Sequence, residues 1–237
     1  MTRDLDLNHI DAVCLDVDGT LYSLDHFRVH VALRTPFDIN GWRAMERARR
    51  ALRSDENAHD DVHAVIAQRM AADLGLPVET AAGLAERLVH ESWPRLLRRI
   101  TPFSKLRGAL EALVGADVRL VAASDYPCRA KIEALDLGDL PWCATLDASA
   151  LGALKPRPEI YAAAVAAAAA PAERVLHVGD SSHLDVSGAQ SIGMPTVLVG
   201  RESKRPDKWH ATPTWAFPSV NKFCQAVHAA LVSRSSS

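Results

Sequence analysis

The chain has 237 residues, of which 48% are hydrophobic and 24% charged, and its formal net charge is −2. That balance excludes bulk electrostatic attraction to nucleic acid, no apolar run reaches the roughly 18 residues that cross a bilayer, and the length suits one large domain or a core with a smaller insert. The opening Met1-Thr2-Arg3-Asp4-Leu5-Asp6 carries no basic-then-apolar leader, and Cys14, Cys128, Cys143 and Cys224 form no CxxC pair, so a cytoplasmic location and four reduced, buried thiols are expected.

The first element is Val13-Cys14-Leu15-Asp16-Val17-Asp18-Gly19-Thr20-Leu21, an apolar run ending in two aspartates one residue apart and then a glycine turn. It reads as a buried strand whose carboxylates emerge at its C-terminal end. Two acids placed there cost desolvation energy unless something positive holds them, so the spacing implies a cation, a reaction, or both.

From about residue 25 to 99 the chain is rich in Arg, Ala, Leu and His and shows helical spacing without a convincing strand. Helices are expected at 42–53, 61–74 and 79–97, from apolar residues at three- and four-residue intervals. Gly75-Leu76-Pro77 punctuates two of them, and Thr101-Pro102-Phe103 marks the return from this helical insert.

Strands and helices then alternate, the signature of a parallel sheet covered on both faces. Strands are expected at 118–122, ending at Ser124, and at 142–146, 174–178, 196–199 and 214–217. Helices are expected at 127–135 and 159–170, from Asp180 to about 192 with Gly193 as its stop, and from a Ser219 cap to about 232. Residues 201–209 read as a polar loop and 234–237 as a frayed end. In such sheets ligands bind at the carboxyl ends of the strands, near the topological switch point.

Asp16-Val17-Asp18-Gly19-Thr20 resembles motif I of the haloacid dehalogenase (HAD) superfamily, and the superfamily's other motifs follow in order. Ser124, closing Val121-Ala122-Ala123-Ser124-Asp125, resembles motif II. Lys155 in Leu154-Lys155-Pro156-Arg157-Pro158-Glu159-Ile160-Tyr161 is close to the KPxPxxF pattern of motif III, and Gly179-Asp180-Ser181-Ser182-His183-Leu184-Asp185 matches the GDxxxxD of motif IV. The resemblance spans about 10–24 and 102–199. It implies a Rossmann-like, doubly wound α/β core over 1–24 and 100–237, with a C1-type helical cap over 25–99.

The same resemblance implies roles. Asp16 is the nucleophile that forms an aspartyl-phosphate. Asp18 gives a proton to the leaving oxygen and takes one from water. Ser124 and Lys155 bind the phosphoryl group. Mg²⁺ is held by Asp16, the backbone carbonyl of Asp18, and Asp180. Asp185 orients Lys155 or metal-bound water. Asp125 departs from the asparagine often found after motif II and would repel an anion, so it is expected to cap the helix from Pro127 or to turn toward the cap. Arg157 is a further candidate anion contact, His177 a core residue, and His183 a loop residue.

Dehalogenases and phosphonatases lack an aspartate at the position of Asp18, so its presence favours chemistry at phosphate oxygen. The expected activity is Mg²⁺-dependent hydrolysis of a small-molecule phosphate monoester. One alternative is a phosphomutase of the β-phosphoglucomutase type, whose His-Phe pair His26-Phe27 resembles, though here it falls early relative to Asp16. Another is a non-catalytic binding module, against which Asp16, Lys155 and Asp180 are all present. Arginines 43, 47, 49, 50 and 53, and a second group at 95, 98 and 99, read as solvated helix faces. Any that faced the cleft would favour a substrate with a second anionic group. Trp42, Trp93, Phe27 and Phe37 are expected mainly in packing, with an apolar wall as their other use.

Overall fold

In the computed structural model, which describes residues 4–54 and 61–234, the apolar run after Asp11 forms β1 (Ala12–Asp16), buried along its whole length. The remaining strands are β2 (Arg119–Ser124), β3 (Trp142–Asp147), β4 (Val175–Gly179), β5 (Thr196–Val199) and β6 (Trp215–Phe217). Among the described residues they make one six-stranded sheet, ordered β3-β2-β1-β4-β5-β6, with every pairing parallel.

The two-residue period of β1 sorts its side chains between two cores. Ala12 and Cys14 pack with Val121, Ala123 and Val175 against α8 (Glu159–Ala168), through Ile160, Tyr161, Ala164 and Ala168. Val13 and Leu15 face the opposite core, with Leu120, Ala122, Leu176 and Val178, under α6 (Leu106–Gly115), α7 (Arg129–Ala134) and α10 (Val220–Arg234). Cover on both faces explains why the central strands read as unbroken apolar runs. Because the chain moves from β1 outward to β2 and β3, then returns to β4 on the other side, the order reverses between β1 and β4. Asp16 and Gly179 end neighbouring strands at that crevice.

Between β1 and α6 lies the helical insertion. It contains α1 (Leu24–Arg34), α2 (Ile39–Arg53), α3 (Val62–Leu74), α4 (Val78–Arg87), a π-helical turn at Leu88–Ser92, and α5 (Trp93–Leu97). Asp61 caps α3 by accepting the Ala64 amide at 2.9 Å, and Gly75, at φ 65°, ends it in the left-handed conformation that glycine adopts without strain.

Several elements differ from expectation for identifiable reasons. The helix expected at 79–97 is broken into α4, the π-turn and α5, where Pro94 in the first turn has no amide to donate. The helix after β4 is a π-helical segment (Ser182–Ser187) followed by α9 (Gly188–Gln190). Helix α1, unmarked in the sequence, buries only Phe27. Cys143 is exposed while Cys14, Cys128 and Cys224 are buried, because it lies on the edge strand β3. Phe37 is 99% exposed, so it forms no part of the packing. Ser219 accepts the Lys222 amide at 3.3 Å, as an N-cap should. Of the charged start at 1–6 and the end expected to fray at 234–237, residues 1–3 and 235–237 lie outside the described residues, while Arg234 is helical and closes α10. Among the described residues no helix is long and apolar enough to cross a membrane.

Candidate active site

Asp16 ends β1, Ser124 ends β2 and Asp180 follows β4, so parallel pairing alone gathers them at one edge of the sheet. The loop before α8 delivers Lys155 to the same place. Its ammonium is buried and donates to Asp16 Oδ1 at 2.7 Å and to Asp185 Oδ1 at 2.9 Å. Asp185 is held in turn by His177 Nε2 at 3.1 Å and by the Ser181 amide, which donates to its other oxygen at 3.1 Å. His177 is thus a core residue, and one that orients Asp185. Burial pushes Asp16 up to about 7 against the pull of Lys155, with Asp185 and Asp18 adding to the rise. Asp185 is also buried, yet Lys155 and His177 outweigh that and hold it below the ordinary carboxylate range.

Carboxylate oxygens of Asp16, Asp180 and Asp185 lie within 4.8 Å of one another. Lys155 pairs with two of the three, and burial together with Asp16, Asp185 and Glu202 holds the Asp180 carboxyl well above its usual range. The cluster therefore carries more negative charge than its neighbours neutralise. Gly19 shapes the floor: at φ 103° a side chain is disfavoured, and a Cβ there would sit 2.2 Å from Asp180 Oδ2. A compact, all-oxygen set with excess negative charge fits a hard divalent cation.

Asp18 is engaged on both oxygens. Tyr22 donates its hydroxyl to Oδ1 at 2.6 Å, while Lys131 Nζ at 2.6 Å and Ser124 Oγ at 3.0 Å meet Oδ2. Burial alone would raise its pKa, but Lys131 and Tyr22 more than offset that and lower it. Sequence reasoning missed Lys131 and Tyr22. The local sign of Lys131 is its place in the helical stripe of Cys128, Ile132 and Leu135, every member of which is buried.

Asp125 turns toward the insertion. It pairs with Arg49 at 2.8 Å and with Arg53, and its other oxygen accepts the Lys155 amide at 2.9 Å. These two arginines of α2 therefore face the core, where the sequence suggested a solvated surface. A cavity of about 660 Å³ opens above the site, walled by Phe27, Trp42 and Trp93 and by Arg43, Arg47 and Arg50. Arg157 engages Glu159 at 3.3 Å, and the rings of His183 and His210 lie 4.7 Å apart. Arg95, Arg98 and Arg99 are exposed.

Comparison with known proteins agrees with this architecture. The chain is similar in fold to the L-2-haloacid dehalogenase of Xanthobacter autotrophicus solved with chloropropionic acid covalently bound, at a TM-score of 0.65 and 20% identity over 92% of this chain and 98% of that one. A 2-haloacid dehalogenase from Pseudomonas syringae pv. tomato gives 0.59 and 22% over 93% and 99%. A HAD phosphatase from Thermococcus onnurineus gives 0.57 and 18% over 91% and 97%. No curated protein matches the sequence. The haloacid dehalogenase-like hydrolase family matches residues 10–193, a span holding all the motif residues described above, and the chain belongs to that family.

Proposed function

We propose that the chain is a Mg²⁺-dependent phosphatase that hydrolyses a small-molecule phosphate monoester through an aspartyl-phosphate on Asp16. The observation that carries this reading is the second carboxylate, Asp18, which opens with Asp16 onto one cavity beside the three-carboxylate cluster. A halide leaves carbon without a proton, whereas the leaving oxygen of an ester needs one.

In the first half-reaction an Asp16 oxygen attacks phosphorus, the bond from phosphorus to the ester oxygen breaks, and the alcohol leaves with a proton from Asp18. In the second, water attacks the phosphoryl group, its proton passes to Asp18, and the bond from phosphorus to Asp16 breaks to release inorganic phosphate. Lys155 offsets charge beside Asp16, Ser124 exchanges its bond to Asp18 for one to a phosphoryl oxygen, and Asp185 orients Lys155. Carboxylates of Asp16 and Asp180, with the Asp18 carbonyl, would hold Mg²⁺, whose charge stabilises the phosphoryl oxygens. The helical insertion over the cavity excludes stray water.

Hydrolytic dehalogenation is a second reading. Its support is the pairing of Asp18 with Lys131, which holds that carboxylate without the proton an ester needs.

Phosphate release from a panel of small esters, with Mg²⁺ or EDTA, and chloride release from 2-chloropropionate separate the two, with Asp16→Asn as the blank. Magnesium-dependent phosphate release that falls about 10³-fold or more in Asp16→Asn is expected. Chloride release indifferent to EDTA, without phosphate release, would select the second reading. Transfer of phosphate between positions of a sugar without its release would indicate a mutase.

A further inference from the structure

Lys131 lies on α7 with no exposed surface, and the side chain to which its ammonium is ion-paired is Asp18. The same ammonium sits 3.7 Å over the ring of Trp93, which the insertion contributes from α5. The edge of that indole is engaged as well. Trp93 Nε1 donates to the Tyr22 hydroxyl at 3.1 Å, and Tyr22 donates to the other Asp18 oxygen at 2.6 Å. Both oxygens of Asp18 are therefore held by groups that touch one indole, one group through its face and the other through its N–H. Trp93 also stacks on Phe27 at 5.1 Å and meets Trp42 edge-on at 5.4 Å, and all three line the cavity.

We propose that Lys131 and Trp93 are positioning residues for Asp18, so that the seating of the helical insertion sets the orientation in which that carboxylate meets the leaving oxygen and the attacking water. The inference rests on the phosphatase reading for what Asp18 does there, and on the contacts above for the coupling. A displacement of α5 by an ångström or two would loosen the cation over the ring and the indole hydrogen bond together, because both are short-range contacts. A ligand seated against Phe27 and Trp42 would press on the same indole. Asp18 is thereby tied to whether the cavity is filled.

A double-mutant cycle separates positioning from mere structural support. Lys131→Met should lower kcat on an alkyl phosphate by about 10- to 100-fold with KM changed by less than about 3-fold. Trp93→Phe, which keeps an aromatic ring and removes the N–H, should lower it by about 3- to 10-fold. Neither substitution should lower activity further in an Asp18→Asn background. Losses that persist there would overturn the proposal, and Trp93→Phe carries the test if Lys131→Met does not fold.

A readout independent of activity is the indole N–H resonance of Trp93, identified by its disappearance in Trp93→Phe. It should shift in Lys131→Met and in Asp18→Asn, and a resonance that stays in place in both would also overturn the coupling. If the wild type releases phosphate from no ester, the phosphatase reading fails by itself, and the resonance still decides whether the insertion is linked to Asp18.

Discussion

Lys155 shows how much of the site depends on one buried charge. Its ammonium reaches both Asp16 and Asp185, so Lys155→Met leaves three crowded carboxylates without that cation. Breaking such a pair from one side costs about 3–5 kcal/mol, which should appear as a lower urea midpoint. Added Mg²⁺ should then stabilise the variant more than the wild type, and equal responses would show that the lysine and the cation do not share these carboxylates. The convergence of Asp16, Ser124, Lys155, Asp180 and Asp185 was legible in the sequence, since the first four stand at strand ends or in a loop of a parallel sheet and Asp185 follows in the helical segment after β4. The surroundings of Asp18 were not. Tyr22 and Lys131 acquire meaning only from packing between segments distant in the chain, since the buried stripe that holds Lys131 does not say which group its charged end meets.

At the scale of elements, α2 and the end of β2 are tied together by Arg49, Arg53 and Asp125. Burial opposes ionisation of Asp125, but the two arginines prevail and its pKa lies below the ordinary carboxylate value. A depressed carboxyl stabilises the fold at pH above its unfolded value of about 3.9, and that contribution is lost as pH falls through the lower folded value. The melting temperature of the wild type should therefore drop more steeply than that of Asp125→Asn as pH is taken from about 5 toward 2. Parallel profiles would remove the tie. The position of Asp125 toward the insertion was one of two alternatives open from sequence, and the arginines it meets could not be chosen among five on a helix with so many cations. Strands were readable because burial on both faces leaves unbroken apolar runs. Helix α1 was not, because Val29 and Leu33 put apolar side chains on its exposed side and blur any periodicity.

Across the whole molecule, one hydrophobic cluster runs from Phe27, Ala44, Met70 and Trp93 of the insertion to Leu15, Leu113 and Phe223 of the sheet and its helices. With no break in that cluster, unfolding in urea should be a single transition that far-UV ellipticity and tryptophan emission report at the same midpoint. Two separated midpoints would show that the insertion melts alone. The alternation of strands and helices made the sheet readable, whereas nothing in one chain announces that insert and core share their apolar interior.

The edge position of β3 has a practical outcome. Three thiols are buried and raised to about 12, at Cys14, Cys128 and Cys224, while Cys143 alone stands open to solvent. A maleimide at neutral pH should couple once to the native protein and four times after denaturation, as mass spectrometry would count. The unaltered chain thus carries its own attachment point for a dye at the rim of the sheet, from which energy transfer to a second label on α3 could follow opening and closing without removal of any cysteine.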